Sequence, residues 1–63
     1  MISDWELWAC AATVERQYGP EAPCFIAEQV RTLAAAEDLE GVVTWRRIAE
    51  RLLQMRRGDG VPN

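Results

Sequence analysis

The chain has 63 residues, 49% of them hydrophobic, with three Trp, one Tyr and one Phe. That make-up fits one small globular domain and excludes a disordered segment. The net charge of −3 speaks against a dedicated nucleic-acid binder, which would be basic.

The first helix is expected over residues 4–18. Ser3 and Glu6 have the spacing of a capping box, and Ile2 and Leu7 that of a hydrophobic staple. Asp4 and Glu6 also suit the positive end of the helix dipole. Gly19 and Pro20 end the helix, because glycine adopts the left-handed conformation there and proline cannot continue the hydrogen bonding. Leu7, Cys10, Ala11, Val14 and Tyr18 share one stripe. Trp5, Trp8 and Ala12 share a second, so the helix is apolar over more than one face.

A second helix is expected over residues 21–37, with Pro20 or Pro23 in its first turn, where a missing N–H costs nothing. Its stripe is Ala22, Ile26, Val30 and Leu33, with Phe25 at the flank. Asp38 stops this helix and caps the next, expected over residues 39–57. On that third helix Val42, Trp45, Ile48, Ala49, Leu52 and Leu53 lie on one face, and Arg46, Arg47, Glu50, Arg51 and Gln54 largely on the other. Gly41, in its first turn, weakens the helix by less than the roughly 1 kcal/mol of an interior glycine. Residues 58–63 read as a flexible tail to a domain of residues 1–57. No period-2 run of β-branched residues marks a strand.

The fold class is therefore all-α, a compact three-helix bundle with short turns and antiparallel neighbours. A first helix lying between two partners explains its two apolar stripes. Charge divides along the chain. Residues 1–40 carry eight acids and two arginines, Arg16 and Arg31; residues 41–63 carry five arginines against Glu50 and Asp59, and there is no lysine. The plain reading is an acidic pair of helices neutralised by a basic third; the sharper one is a functional basic face on that helix.

Little in the chain looks like catalysis. It has no histidine and no lysine, and its one serine is the cap, so a nucleophile would lack a base. The protein is expected to be no enzyme, with no catalytic residue and no cofactor. Cys10 falls on the core stripe, as a small hydrophobe, and Cys24 at a helix N-terminus, where a thiolate is favoured. Their axial positions on paired helices differ by roughly 7 Å, which disfavours a bridge. Two thiols without imidazole make no zinc site, and no metal is expected. No stretch comes near the roughly 18 apolar residues of a membrane span, and "MISDWELW" lacks the basic start of a secretory leader. The expectation is a cytoplasmic protein with reduced thiols and no membrane attachment.

The segments "ELWACA", "VERQYG", "APCFIAEQV" and "WRRIAERL" resemble a family of short, uncharacterised helical proteins from alphaproteobacteria, a domain of unknown function. The likeness runs from Glu6 to Leu52. It implies no activity, and it implies a place near the surface for Cys24.

The three tryptophans, Trp5, Trp8 and Trp45, either converge on one core or leave an indole exposed as a partner anchor, since Trp and Arg dominate interface hot spots. The reading that follows is a small protein-interaction or regulatory module. Its partner-binding residues are Trp5, Trp8, Arg46, Arg47 and Arg51, and its partner is a protein, including a second copy in a homodimer. The alternatives are nucleic-acid contact through Arg46, Arg47, Arg51, Arg56 and Arg57, or an acidic surface that mimics nucleic acid and inhibits an enzyme that binds it.

Overall fold

A computed structural model of the chain describes residues 2–58. Helix α1 spans Asp4–Tyr18, a 3-10 turn spans Gly19–Glu21, α2 spans Ala22–Ala35 and α3 spans Leu39–Arg57. No strand occurs among the described residues.

The capping box forms at the start of α1. The Ser3 hydroxyl accepts from the Glu6 N–H at 3.2 Å, and the Glu6 carboxylate accepts from the Ser3 N–H at 3.1 Å. That bonding holds the Glu6 carboxyl below its ordinary 4.5. Ile2 packs against the core that contains Leu7.

At the other end of α1, Gly19 takes φ +52° and its N–H donates to the Glu15 carbonyl. The chain does not leave helical backbone there. Pro20 falls in the 3-10 turn and Pro23 in the first turn of α2, both places where no intrahelical N–H is needed. Asp4–Ala35 is thus one bent helical run with α1 and α2 as its arms, and α3 is the second element. The expected bundle of three separate, mutually antiparallel helices is corrected accordingly; its all-helical and compact character stands. The Cα radius of gyration is 11.4 Å, close to the roughly 11 Å expected of a compact chain of this length.

α2 stops two residues before the expected position 37. The Asp38 N–H donates to Leu33 O at 2.9 Å and the Glu37 N–H to Ala34 O at 3.0 Å, the paired bonds of a Schellman motif. Glu37 stands at its left-handed position with φ +60°, where glycine is usual. Asp38 then opens α3, its carboxylate accepting from the Gly41 N–H at 3.0 Å. Gly41 has a steric reason to be glycine. A Cβ there would lie 2.9 Å from Asp38 Oδ2 and 3.0 Å from Leu33 Cδ1, so a methyl would push on the cap and on the end of α2. Gly58 closes α3 in the left-handed conformation. The rest of the expected tail, 59–63, lies outside the described residues.

The core gathers Leu7, Ala11 and Val14 from α1, Ala22 and Ile26 from α2, and Ile48 and Leu52 from α3. α3 packs along both arms, while the arms touch each other least. The helix between two partners is therefore α3 and not α1. The molecule is a slab of 35 × 26 × 16 Å. A slab little thicker than one helix leaves much of each helix facing solvent.

An aromatic ladder joins all three helices. Tyr18 stacks on Phe25 with ring centroids 4.1 Å apart, and Phe25 meets the Trp45 ring edge-on at 5.8 Å. Tyr18 itself stays exposed. At the bend, Arg56 donates from Nε to Glu15 Oε2 at 2.7 Å, and from Nη2 to Glu15 Oε1 at 3.0 Å and to Gly19 O at 2.7 Å. The end of α3 is thereby tied to the corner between the arms.

Candidate functional site

The residues expected to bind a partner do not form one surface. Trp5, in the first turn of α1, is 70% exposed, but Trp8 is only 8% exposed. The burial of Trp8 follows from its neighbours. Its indole Nε1 donates to Asp4 Oδ2 at 3.2 Å, and the Arg51 guanidinium lies over its ring, 5.5 Å from the centroid, within cation–π range. Arg51 also donates through Nε and Nη2 to Asp4 Oδ1, the former at 3.0 Å, and through Nη1 to Gln54 at 3.3 Å. Asp4, Trp8 and Arg51 are thus bound to one another across α1 and α3. Of the two readings of the tryptophans, the shared core fails at Trp5: Trp8 is buried and Trp45 packs against the core, whereas Trp5 lies on the exposed row of α1 with Ala9 and Arg16.

Arg56 is similarly engaged. Its hydrogen bonds raise its own pKa and hold the Glu15 carboxyl below its ordinary 4.5. The plain reading of the charge division, acids on the first helices neutralised by the basic third, describes these two pairs.

Arg46 and Arg47 are exposed and point to two different places. Arg47 lines an open notch of about 320 Å³ with Ile2, Leu39, Val43, Thr44 and Glu40. Leu39 is 73% and Val43 51% exposed. These two leave the core because the 39–43–47 row runs along the side of α3 away from Ile48 and Leu52. That row, one residue per turn, could have been found in the sequence by its i, i+4 spacing.

Arg46 instead borders a groove of about 410 Å³ between α2 and α3. Its walls include Ile26, Val30, Ala49 and Leu53, and its rim includes Arg31 and Arg56. Neither Leu53 nor Arg31 was singled out as a site residue in the sequence. Leu53 shares the apolar stripe of α3, which hides that it faces outward.

A third hollow, of about 360 Å³, is lined by Cys10, Thr13, Val14, Phe25 and Trp45 among others. It is apolar, and Thr13 turns its hydroxyl to the Ala9 carbonyl of its own helix at 2.9 Å. Cys10 and Cys24 are free thiols, Cys10 half-buried and Cys24 exposed, which matches the surface position the family resemblance implied for Cys24. Among the described residues no group of three or more His, Cys, Asp or Glu side chains is placed to hold a metal ion, and no buried polar side-chain atom lacks a partner. No helix among them is long and apolar enough to cross a membrane. The arrangement offers apolar surfaces edged with arginine.

Neither the curated proteins nor the solved structures contain a match to this chain. The model of a family of unknown function, DUF6961, matches residues 3–59, nearly the whole chain, and the chain belongs to that family.

Proposed function

We propose that the protein is a small, non-enzymatic interaction or regulatory module that docks a protein partner in the cytoplasm. The observation that carries this reading is the exposure of large apolar side chains on so short a chain: Trp5, Leu39, Val43 and Leu53 are each more than half exposed. Single exposed apolar residues are ordinary, but grouped ones rimmed by polar side chains mark interaction surfaces. Leu39 and Val43 are grouped in that way, beside Arg47 and Ile2. Trp5 and the arginines at 46 and 47 keep their proposed part in docking; Trp8 and Arg51 support the fold beneath it.

The non-enzymatic part rests on chemistry. With no histidine or lysine in the chain, a thiol or hydroxyl has no imidazole or amine to activate it. The nucleic-acid alternative loses two of its five arginines, because Arg51 and Arg56 are engaged by Asp4 and Glu15. The nucleic-acid-mimic alternative weakens for the same reason, since those two acids are neutralised.

A photo-crosslinking residue placed at Trp5 or Leu39 in the cell that makes the protein tests the reading. A discrete adduct is expected from each, and none from the same residue at Arg16. The homodimer is one such adduct, and light scattering of the purified chain gives twice its 7.1 kDa mass if the partner is a second copy. The same diffuse labelling from all three positions refutes the interaction reading.

A further inference from the structure

We propose that the groove between α2 and α3 receives an acidic amphipathic helix of a partner protein. The inference rests on the interaction reading and names the class of partner for a second surface.

The dimensions come first. The groove is bounded on α2 by positions 23 to 31 and on α3 by positions 46 to 56. At 1.5 Å per residue these walls are about 12 to 15 Å long, which accommodates two to three turns of a docked helix. The two helices form the walls of a trough, and Leu53, 57% exposed, stands along one of them. An amphipathic helix presents anchors at i, i+3 or i+4, and i+7 to such a trough.

Charge selects among apolar helices. Arg31 from α2 and Arg46 from α3 belong to the rim at one end, and Arg56 at the other; no acid lines the groove. Arg56 is held by Glu15 and Gly19. Among the described residues Arg31 and Arg46 make no hydrogen bond or ion pair. Of the three arginines at this groove they are the two left for a ligand, on opposite sides of an apolar trough. In a chain of net charge −3, three arginines and no acid at one groove make it a local site for an acidic partner. Carboxylates flanking the apolar face of a docked helix complement both arginines.

Two synthetic helical peptides of about 14 residues test this. Both carry leucine at i, i+3, i+4 and i+7; one is flanked by glutamates and the other by lysines. Fluorescence anisotropy with the full chain should show the glutamate peptide binding at least about tenfold tighter than the lysine peptide. That order runs against the net charge of the protein, so non-specific attraction cannot produce it. The doubly reversed variant R31E/R46E should invert the order, and L53D should lose both peptides. Circular dichroism confirms that these exposed substitutions leave the fold intact.

Equal affinity for the two peptides overturns the proposal, as does an order that survives the charge reversal. Oleate that binds the full chain and loses that binding in L53D, where neither peptide binds the wild-type chain, overturns it, since the occupant is then an anionic lipid. A chain dimer that excludes the peptide overturns it too, the occupant then being a second copy. Failure of the peptides while crosslinking through Trp5 and Leu39 persists removes the groove proposal alone.

Discussion

Leu52 and Leu53 are adjacent, chemically identical and on the same apolar stripe of α3, yet Leu52 is 2% exposed and Leu53 57%. If α3 is the helix gripped by both arms, truncating the first should be severe and truncating the second mild. A buried Leu→Ala change costs about 2–5 kcal/mol, the lost transfer energy plus the cavity. A 63-residue domain at about 0.05–0.15 kcal/mol per residue is stable by roughly 3–9 kcal/mol in all. Leu52→Ala therefore removes a large part of the stability and lowers Tm by at least about 10 °C. Leu53→Ala, at a surface position, should change stability by less than about 0.5 kcal/mol. Thermal and urea unfolding followed by far-UV circular dichroism measures both. Should Leu52→Ala prove unfolded, Leu52→Met, with an expected cost under about 1.5 kcal/mol, keeps the comparison quantitative. Equal losses at the two positions, or a larger loss at Leu53, would refute the placement of α3 against the arms.

Three further predictions concern the ends of the helices. Glu37 holds the left-handed position of the Schellman motif, so Glu37→Gly should stabilise the fold by about 1 kcal/mol, seen as a higher urea midpoint; a lower midpoint contradicts the assigned turn. Gly41→Ala should destabilise by about 1 kcal/mol, because the strain of crowding Asp38 and Leu33 exceeds the gain in helix propensity, which in a first turn is under roughly 1 kcal/mol; a more stable Ala variant shows that the contact yields freely. Glu6 and Glu15 are held below 4.5 when folded, the first mainly by the Ser3 N–H and the second by Arg56. Depressed acids add stability that is present above their unfolded pKa and lost as pH falls through the folded value. The native chain should weaken as pH drops below about 4.5, and Glu6→Gln with Glu15→Gln should flatten that acid limb in urea titrations. An unchanged acid limb in the double variant means the two bonds do not form in solution.

The helix ends were legible because their signals are local. A capping box and an Asp N-cap each involve residues within one turn, and Ser3–Glu6 and Asp38 both do what their spacing foretells. What the periodicity of one helix cannot state is which of its stripes meets which partner. Both stripes of α1 looked like packing surfaces, but only Leu7, Ala11, Val14 and Trp8 became buried, while Trp5 faced solvent. The Asp4–Arg51 and Glu15–Arg56 pairs join residues 47 and 41 positions apart, a separation over which charge patterning gives only the overall attraction between acidic and basic segments. Leu53 was hidden by a related ambiguity, since consecutive residues on a helix are turned by only about 100° and a wide apolar stripe does not show its own edge. The bend at Gly19 was legible as a break and not as a continuation, because the two prolines fit a turn within a helical run as well as they fit its end.

The same packing sorts the arginines into those paired with acids of α1 and those free to meet a ligand, and ionic strength separates the two. Arg51 and Arg56 pair with acids near solvent, and exposed pairs of this kind contribute little to stability. Folding rests on the apolar core instead, and burial of apolar surface is not weakened by salt. Arg31 and Arg46 wait unpaired at the groove, where attraction to an acidic helix is screened once the Debye length shrinks from about 10 Å at 0.1 M salt to about 3 Å at 1 M. Between those concentrations the urea midpoint should hold or rise slightly, while affinity for the glutamate-flanked peptide falls several-fold and affinity for its lysine-flanked counterpart does not fall with it. Loss of folding stability in high salt would mean that the ion pairs, and not the core formed with α3, hold the arms in place. A peptide affinity indifferent to salt would mean that the guanidinium groups at the rim take no part in recognition, leaving the groove an apolar surface without a preference among partners.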